Sequence, residues 1–203
     1  MLTEENLIQV FGGANVSQVY KIDDTVSVFA IDLIVPKRVK LLMTCGLSSH
    51  KMNTPDHLKS ENSCEIYFCV PDYWEILNDI NPNTNWIIKW LDLIVNYIKS
   101  SENWFGAGHT IKCGVDKLPL SPTMKQDYFV FSNPLLLSEE LANLKMLDLD
   151  TNFFALVPLF EKEYEYKQRK GIEKFTLKMR AVGMSEKLDE YRLPLIKRRR
   201  LFF

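Results

Sequence analysis

The chain has 203 residues, of which 46% are hydrophobic and 25% are charged, a composition typical of one globular domain. Residues 1–5 are acidic and lack the basic and apolar regions of a secretory signal peptide, and no apolar stretch is long enough to span a membrane. These features exclude a secreted disulfide-bonded scaffold and an integral membrane protein, and they predict a cytoplasmic location.

Charge is distributed unevenly along the sequence, although the net charge is only −1. Residues 1–161 contain 12 basic and 20 acidic side chains, giving −8, whereas residues 162–203 contain 13 basic and 6 acidic side chains, giving +7. Because surface potential steers association, we expect the acidic body to attract a basic protein and to repel nucleic acid. The arginine run at residues 198–200 predicts a solvated tail, with nucleic-acid binding through that tail as the alternative.

The first half of the sequence predicts one short helix followed by strands. Thr3 is the predicted N-cap of a helix over residues 3–10, because acidic residues follow it, and Gly12 and Gly13 end that helix. Three apolar runs predict strands, at residues 26–35, 39–47 and 64–70. The second and third runs are apolar on both faces, which is typical of strands covered on both sides. The polar residues 48–62 predict a loop.

The second half centres on one amphipathic helix over residues 86–98, which follows a polar break at 81–85. Its apolar positions recur with helical spacing and predict a buried face, comprising Ile87, Trp90, Leu91, Ile94, Tyr97 and Ile98. Further segments predict strands, at residues 109–113, 128–131 and 152–160. A charged helix interrupted by Gly171 is predicted over residues 161–179. Strands grouped before and after one long helix favour an α+β fold, with a mixed, largely antiparallel central sheet flanked by helices.

Few residues are candidates for catalysis or metal binding. The three histidines, His50, His57 and His109, lack the short-spaced partner ligands of a metal site. A hydrolase with His109 as base and Cys45 or Cys113 as nucleophile is an alternative, but no orienting carboxylate stands at a recognisable spacing. We therefore predict no catalytic residue, no metal and no cofactor.

The cysteines predict reduced thiols. The sequence contains four cysteines and no CxxC pair. Cys64 and Cys69 have opposite parity on one predicted strand, so they are expected to face opposite sides of the sheet. Without a secretory signal, disulfide bonds are not expected.

The glycine cluster at residues 106–110, Gly-Ala-Gly-His-Thr, follows a predicted helix and precedes a predicted strand. A phosphate-binding loop has the opposite order, because its glycines lead from a strand into a helix. The cluster therefore predicts a tight turn in which His109 hydrogen-bonds the backbone.

Short motifs along residues 31–179 resemble, in order, those of the suppressor-of-fused family. Residues 44–48 (TCGLS) resemble the end of one family strand and residues 65–71 (EIYFCVP) resemble the next, with Trp74 as the aromatic residue that follows. The GAGHT turn resembles the family's GxGHT element, and residues 154–163 (FALVPLFEKE) resemble its strand-to-helix junction. The motif residues are predicted to be structural, and they are Gly46, Gly106, Gly108, His109, Thr110, Pro158 and Glu161.

The resemblance implies a fold like the N-terminal domain of suppressor of fused, with one domain over residues 1–183 and a basic C-terminal extension over residues 184–203. Because a second large domain is lacking, the chain looks like the stand-alone bacterial form of the family. That form is associated with toxin systems, as an immunity protein or antitoxin. The resemblance therefore implies a non-enzymatic protein-binding domain whose partner is a basic toxin, with no membrane partner. Cys45 within the first motif and the longer basic tail depart from the family pattern.

Overall fold

The computed structural model describes residues 1–34, 37–76, 85–100, 102, 104–113, 120–121, 123–147 and 149–196. Its helices are α1 (Glu4–Phe11), α2 (Trp86–Ser100), α3 (Ser138–Lys145), α4 (Glu161–Lys170) and α5 (Ile172–Ala181). Its strands are β1 (Val16–Lys21), β2 (Ser27–Leu33), β3 (Val39–Cys45), β4 (Cys64–Pro71), β5 (Thr110–Lys112), β6 (Tyr128–Ser132) and β7 (Asn152–Leu159). Short 3₁₀ segments occupy Leu47–Ser49, at the start of the predicted loop, and Asp56–Glu61 within it.

The strands of the described residues form one sheet in the order β1-β2-β3-β4-β7-β6-β5. Strands β4 and β7 run parallel, whereas all the other neighbours pair antiparallel. The long connection between the parallel strands carries α2, β5, β6 and α3, as a parallel pair requires a crossover. The predicted α+β fold with a mixed, largely antiparallel sheet is therefore confirmed, and β1 and β5 are its two edges.

The sheet separates two apolar cores because successive side chains of a strand point to opposite faces. Helix α2 covers one face, where Leu91 packs with Phe68 of β4. Helices α1, α3 and α5 cover the other face, where Phe175 packs with Tyr67. Cys64 lies in the first core and Cys69 in the second, so their predicted opposite orientation is confirmed. All four cysteines are free and buried.

Helix α1 begins as predicted. Thr3 accepts the Asn6 amide hydrogen at 3.4 Å, and the Asn6 side chain accepts the Thr3 amide hydrogen at 3.0 Å, which completes a capping box. The chain leaves the helix through Gly12 at a φ of +83°.

The predicted buried face of α2 needs one correction. Leu91, Ile94 and Ile98 are buried, but Tyr97 is 47% exposed. The Tyr97 ring lies edge-on to Phe105 at a centroid distance of 5.5 Å, so it borders the core without entering it. Trp90 is half-buried, and its indole N–H donates to the Leu120 carbonyl at 3.1 Å. Residues 81–84 of the predicted polar break lie outside the described residues.

The segment that follows α5 packs against the body. Leu188 is buried, and its N–H donates to the Cys69 carbonyl at 2.8 Å. Lys187 forms a parallel bridge with Cys69. The predicted division of the chain at residue 183 stays a prediction, and residues 197–203 lie outside the described part. None of the described helices is long and apolar enough to cross a membrane.

Candidate functional site

A buried carboxylate joins the first two motifs. Glu65 is fully buried, and its Oε1 accepts the amide hydrogens of Gly46 at 3.1 Å and Ser48 at 2.9 Å. The Thr44 hydroxyl donates to Oε2 at 2.6 Å. Burial raises the pKa of Glu65 to about 7, although these hydrogen bonds oppose the rise. The TCGLS strand end is thus held to β4 by one side chain.

Gly46 is tightly enclosed in this loop. Its φ is +104°, and a Cβ there would lie only 2.0 Å from the Thr25 carbonyl oxygen. Any side chain would therefore displace the backbone on which the Glu65 hydrogen bonds depend.

A second buried carboxylate organises the junction between β7 and α4. Glu163 is buried and accepts two N–H groups of Arg192, each at 2.7 Å. It also accepts the Phe160 amide hydrogen at 2.9 Å. Pro158 is buried within β7, and its carbonyl accepts an Arg192 N–H at 2.6 Å. Glu161, the carboxylate predicted to matter in this motif, is exposed, and its neighbour two positions on makes the buried contacts.

A third buried carboxylate caps α3 from a distance. Glu186 Oε1 accepts the amide hydrogens of Leu135, Leu136 and Leu137 at 3.0–3.1 Å, and the Tyr67 hydroxyl donates to it at 3.3 Å. Leu137 is the N-cap residue of α3, so the carboxylate satisfies the amide of that residue and of the two before it, and its charge complements the helix dipole. Burial of the Tyr67 hydroxyl raises the pKa of Tyr67, and the nearby Glu186 charge raises it further.

The glycine cluster forms the predicted tight turn. Gly108 has a φ of +91°, and its N–H donates to the Phe131 carbonyl at 2.7 Å. His109 Nδ1 lies 3.1 Å from the Trp104 carbonyl oxygen, so a backbone hydrogen bond orients the imidazole as predicted. The two rings are 4.4 Å apart between centroids. A Cβ on Gly106 would lie 2.8 Å from the Trp104 ring.

A buried cation lies beside this turn. Lys167 of α4 is 6% exposed, and its Nζ donates to the Gly108 carbonyl. Burial lowers the pKa of Lys167. Burial also lowers the pKa of His109, although the Trp104 carbonyl opposes this. Burial therefore makes the charged form of each group less favourable than it is in water.

These side chains line an open groove of about 440 Å³, which we call the His109 groove. Its lining comprises Tyr97, Trp104, Phe105, Gly108, His109, Thr110, Lys167 and Gln168. Strand β5, an edge of the sheet, begins at the groove with Thr110. Because the His109 carbonyl bonds to the Phe131 amide, alternation along the ladder turns the Thr110 amide away from β6. The groove thus offers aromatic surface, a buried cation and backbone groups of an edge strand.

The arrangement lacks a nucleophile–base pair within the described residues. His109 Nδ1 hydrogen-bonds a backbone carbonyl, which leaves Nε2 as the acceptor of the neutral ring. Cys45 lies in the core on the opposite side of the sheet, and burial raises its pKa to about 12. Burial also raises the pKa of the Cys113 thiol. Among the described residues, no cluster of three metal-binding side chains forms.

Sequence reasoning located the turn but missed the buried charged residues of the region. Glu163 and Lys167 are spaced four residues apart and therefore share the buried face of α4, a spacing that usually indicates an exposed ion pair. Glu65 could have been noticed as the one charged residue inside an apolar strand. Glu186 stands in a polar segment and carries no such signal. The arginines at 198–200, considered for nucleic-acid binding, lie outside the described residues.

The family described as suppressor of fused protein (SUFU) matches residues 23–192. Among similar solved structures, a SUFU homologue of Neisseria gonorrhoeae is 15% identical with a TM-score of 0.63, over 95% of this chain and 94% of that chain. A Sufu–Fu complex is 16% identical with a TM-score of 0.59, over 94% and 89%. Drosophila Suppressor of Fused is 16% identical with a TM-score of 0.58, and this chain spans 50% of its length. No curated protein matches the sequence.

Proposed function

The chain belongs to the suppressor of fused family, and from this premise we propose that it is a non-enzymatic protein-binding domain that neutralises a basic toxin in the cytoplasm, as an immunity protein or antitoxin. The His109 groove is the observation that carries the protein-binding part of the proposal. One similar structure is itself a Sufu–Fu complex, so a protein with this fold has been seen with a protein partner.

The groove is suited to an extended peptide segment. A strand added to the edge of β5 would gain main-chain hydrogen bonds, and pockets beside that edge would select alternate side chains. The half-exposed Tyr97 and the ring of Trp104 supply apolar contact. Lys167 supplies N–H groups to a carbonyl or carboxylate oxygen of the bound segment. Binding of that kind would offset part of the free-energy cost of burying its ammonium group.

Charge supports a basic partner. The net charge of −8 over residues 1–161 attracts a cationic surface over distances beyond contact, and the attraction raises the association rate. The immunity role itself rests on the resemblance to the stand-alone bacterial form. In support, the structural match covers 94% of the Neisseria gonorrhoeae chain.

The test is co-expression of this chain with a basic toxin encoded by a neighbouring gene, in a host whose growth the toxin stops. We expect restored growth and a purified one-to-one complex. Tyr97→Ala should weaken that complex at least fivefold, because it removes exposed aromatic surface from the groove. Leu177→Ala is the matched control, since Leu177 is 64% exposed on α5 and does not line the groove. Equal affinities of the two variants would place the partner elsewhere, and unrestored growth would contradict the immunity role.

A further inference from the structure

A second groove, of about 480 Å³, lies between the turn that follows β4 and residues 182–195. Its rim carries large apolar side chains that are mostly in solvent: Tyr73 is 75% exposed, Tyr191 87% and Leu193 82%. Val182 adds a further exposed apolar side chain. Single exposed apolar residues are ordinary, but several around one groove indicate a binding surface. We call this surface the Tyr191 groove.

The backbone of this surface is fixed. Arg192, between Tyr191 and Leu193, is bound to Glu163 by two hydrogen bonds of 2.7 Å. The Leu195 amide hydrogen donates to the same carboxylate at 2.8 Å, and the Tyr191 amide donates to Asp189 Oδ1 at 2.9 Å. The two exposed side chains are therefore held outward by an anchored neighbour. A preorganised apolar surface loses little conformational entropy on binding, so its contacts translate efficiently into affinity.

The charges of the groove select a cation. Arg192 is neutralised by the buried Glu163 carboxylate, and Lys187 Nζ is directed to the Arg38 carbonyl at 3.3 Å. Asp189 and Glu190 also line the groove, and Asp189 is exposed. Among the described residues, the groove therefore has two carboxylates, Asp189 and Glu190, against one cation, Lys187, that is not paired with a carboxylate.

We propose that the Tyr191 groove docks a basic segment of the protein partner, with an arginine or lysine side chain against Tyr73 and Tyr191 and with Asp189 and Glu190 as counter-ions. The basic character of the partner rests on the proposed function, whereas the groove itself does not. Tyrosine rings attract a cation at their faces, and arginine and tyrosine are frequent energetic centres of interfaces. The His109 groove and the Tyr191 groove share no lining residue, so they constitute two separate contact regions.

The test uses the full chain and a defined probe, the peptide Ac-Trp-Arg-Arg-Trp-NH₂. The control peptide, Ac-Trp-Glu-Glu-Trp-NH₂, has the same length and aromatic residues but the opposite charge. Nitrogen-15 NMR titration should show saturable shifts at the amides of Tyr73, Asp189 and Tyr191 with the arginine peptide. Tyr191→Ser should weaken this binding at least fivefold. Asp189→Asn should weaken it severalfold while keeping the hydrogen bond to the Tyr191 amide, because Asn retains the accepting oxygen.

Leu177→Ser is the control, since it removes an apolar side chain that is also largely exposed, at 64%, but lies outside the groove. Equal binding of the two peptides, or shifts without saturation, would overturn the proposal. Shifts confined to the His109 groove would overturn it as well. The toxin assay and the peptide titration test different proposals. If growth is not restored but the arginine peptide binds here, the docking surface stands and the immunity role is contradicted. If growth is restored equally by the Tyr191→Ser chain, the docking surface falls.

Discussion

Arg192 and Glu163 form a two-armed ion pair, with Nη1–Oε1 and Nη2–Oε2 distances of 2.7 Å, and the Glu163 side chain is fully buried. The guanidinium also lies 4.8 Å from the Phe160 ring centroid. This pair joins the strand-to-helix junction of the last motif to the segment after residue 183. The family match, which extends to residue 192, includes that segment.

Breaking this pair should destabilise the fold strongly. Arg192→Met leaves the Glu163 carboxylate buried without its counter-ion, which typically costs about 3–5 kcal/mol. We expect that loss in the free energy of unfolding measured in urea. Arg180→Met is the control, because Arg180 is exposed at the end of α5. A chain that stops at residue 183 should lose stability by at least as much. A truncated chain as stable as the full one would show that the domain ends at the predicted boundary.

The pH dependence of stability should report Glu65. The folded-state pKa of about 7 is raised above its ordinary value by burial, so the folded state holds this proton where the unfolded state has lost it. The unfolding free energy should therefore fall as pH rises from about 4.5 to 7, by up to about 3 kcal/mol. Above pH 7 the carboxylate is charged in both states and the loss is complete.

Glu65→Gln is the matched variant for this measurement. Glutamine keeps an oxygen for the Gly46 and Ser48 amides and places an N–H donor opposite the Thr44 hydroxyl, as a protonated carboxyl does. The variant should match the parent near pH 5 and exceed it in stability at pH 8. The difference between the two proteins isolates the contribution of Glu65 from that of every other titratable group, because only Glu65 differs. Parallel curves for the two proteins would contradict the assigned pKa.

How far the sequence predicts the fold depends on where each segment finds its partners. Helix α2 and the central strands carry their burial in their own periodicity, and both were predicted. Strand β1 was missed, because it is an edge strand whose side chains are mostly exposed or half-buried. Helix α3 was missed because its N-cap residue, Leu137, makes no side-chain cap. The Leu137 amide hydrogen is instead accepted by Glu186, 49 residues further along the chain.

The same reasoning applies to the candidate site. The turn at Gly108 was predictable, since glycine and its neighbours fix the local conformation. Lys167 was not, because its contact with the Gly108 carbonyl joins residues 59 positions apart. Helical spacing assigned Tyr97 to the core. Spacing shows which side of the helix a residue faces, but not how completely other residues cover it. Spacing therefore predicts faces, and tertiary contacts decide which of their residues are buried.

Two glycines of the turn region separate backbone strain from crowding. Gly108 and Gly171 both have positive φ, of +91° and +83°, so alanine is strained at each. A Cβ at Gly108 would also lie 3.0 Å from Ile172 Cβ, whereas nothing lies within 4 Å of one at Gly171. Thermal unfolding should therefore show Gly171→Ala losing about 1 kcal/mol and Gly108→Ala losing clearly more. Ile172→Ala should recover part of the difference, and equal losses for the two glycines would show that crowding contributes nothing.

Leu91 tests the α2 core. The residue is fully buried against the sheet, so Leu91→Ala should cost about 2–5 kcal/mol through lost transfer energy and the cavity that remains. Leu93, two positions along the same helix, is 58% exposed, and Leu93→Ala should cost less than about 0.5 kcal/mol. Urea denaturation of the two variants decides the assignment of the helix face. A small loss at Leu91 would contradict it.

The last prediction concerns how charge acts in partner binding, and it rests on the proposed basic partner. Residues 1–161 carry −8, and long-range attraction of this kind acts on the encounter step, where salt screens it with a Debye length of about 8 Å at physiological ionic strength. The association rate should fall markedly between low and high salt, while the dissociation rate changes little. Surface-immobilised kinetics over a salt series measures both rates.

Deleting residues 197–203 should leave the affinity within about threefold, roughly 0.7 kcal/mol, because the acidic body provides the attraction. The deletion begins after Ile196 so that the Leu195 amide keeps its hydrogen bond to Glu163, and any change in binding then reports the tail alone. The removed residues include Lys197 and the arginines at 198–200, so a basic partner should associate somewhat faster with the shortened chain. A shortened chain that binds no protein, together with an intact chain that binds nucleic acid, would contradict the proposed function and assign it to the tail.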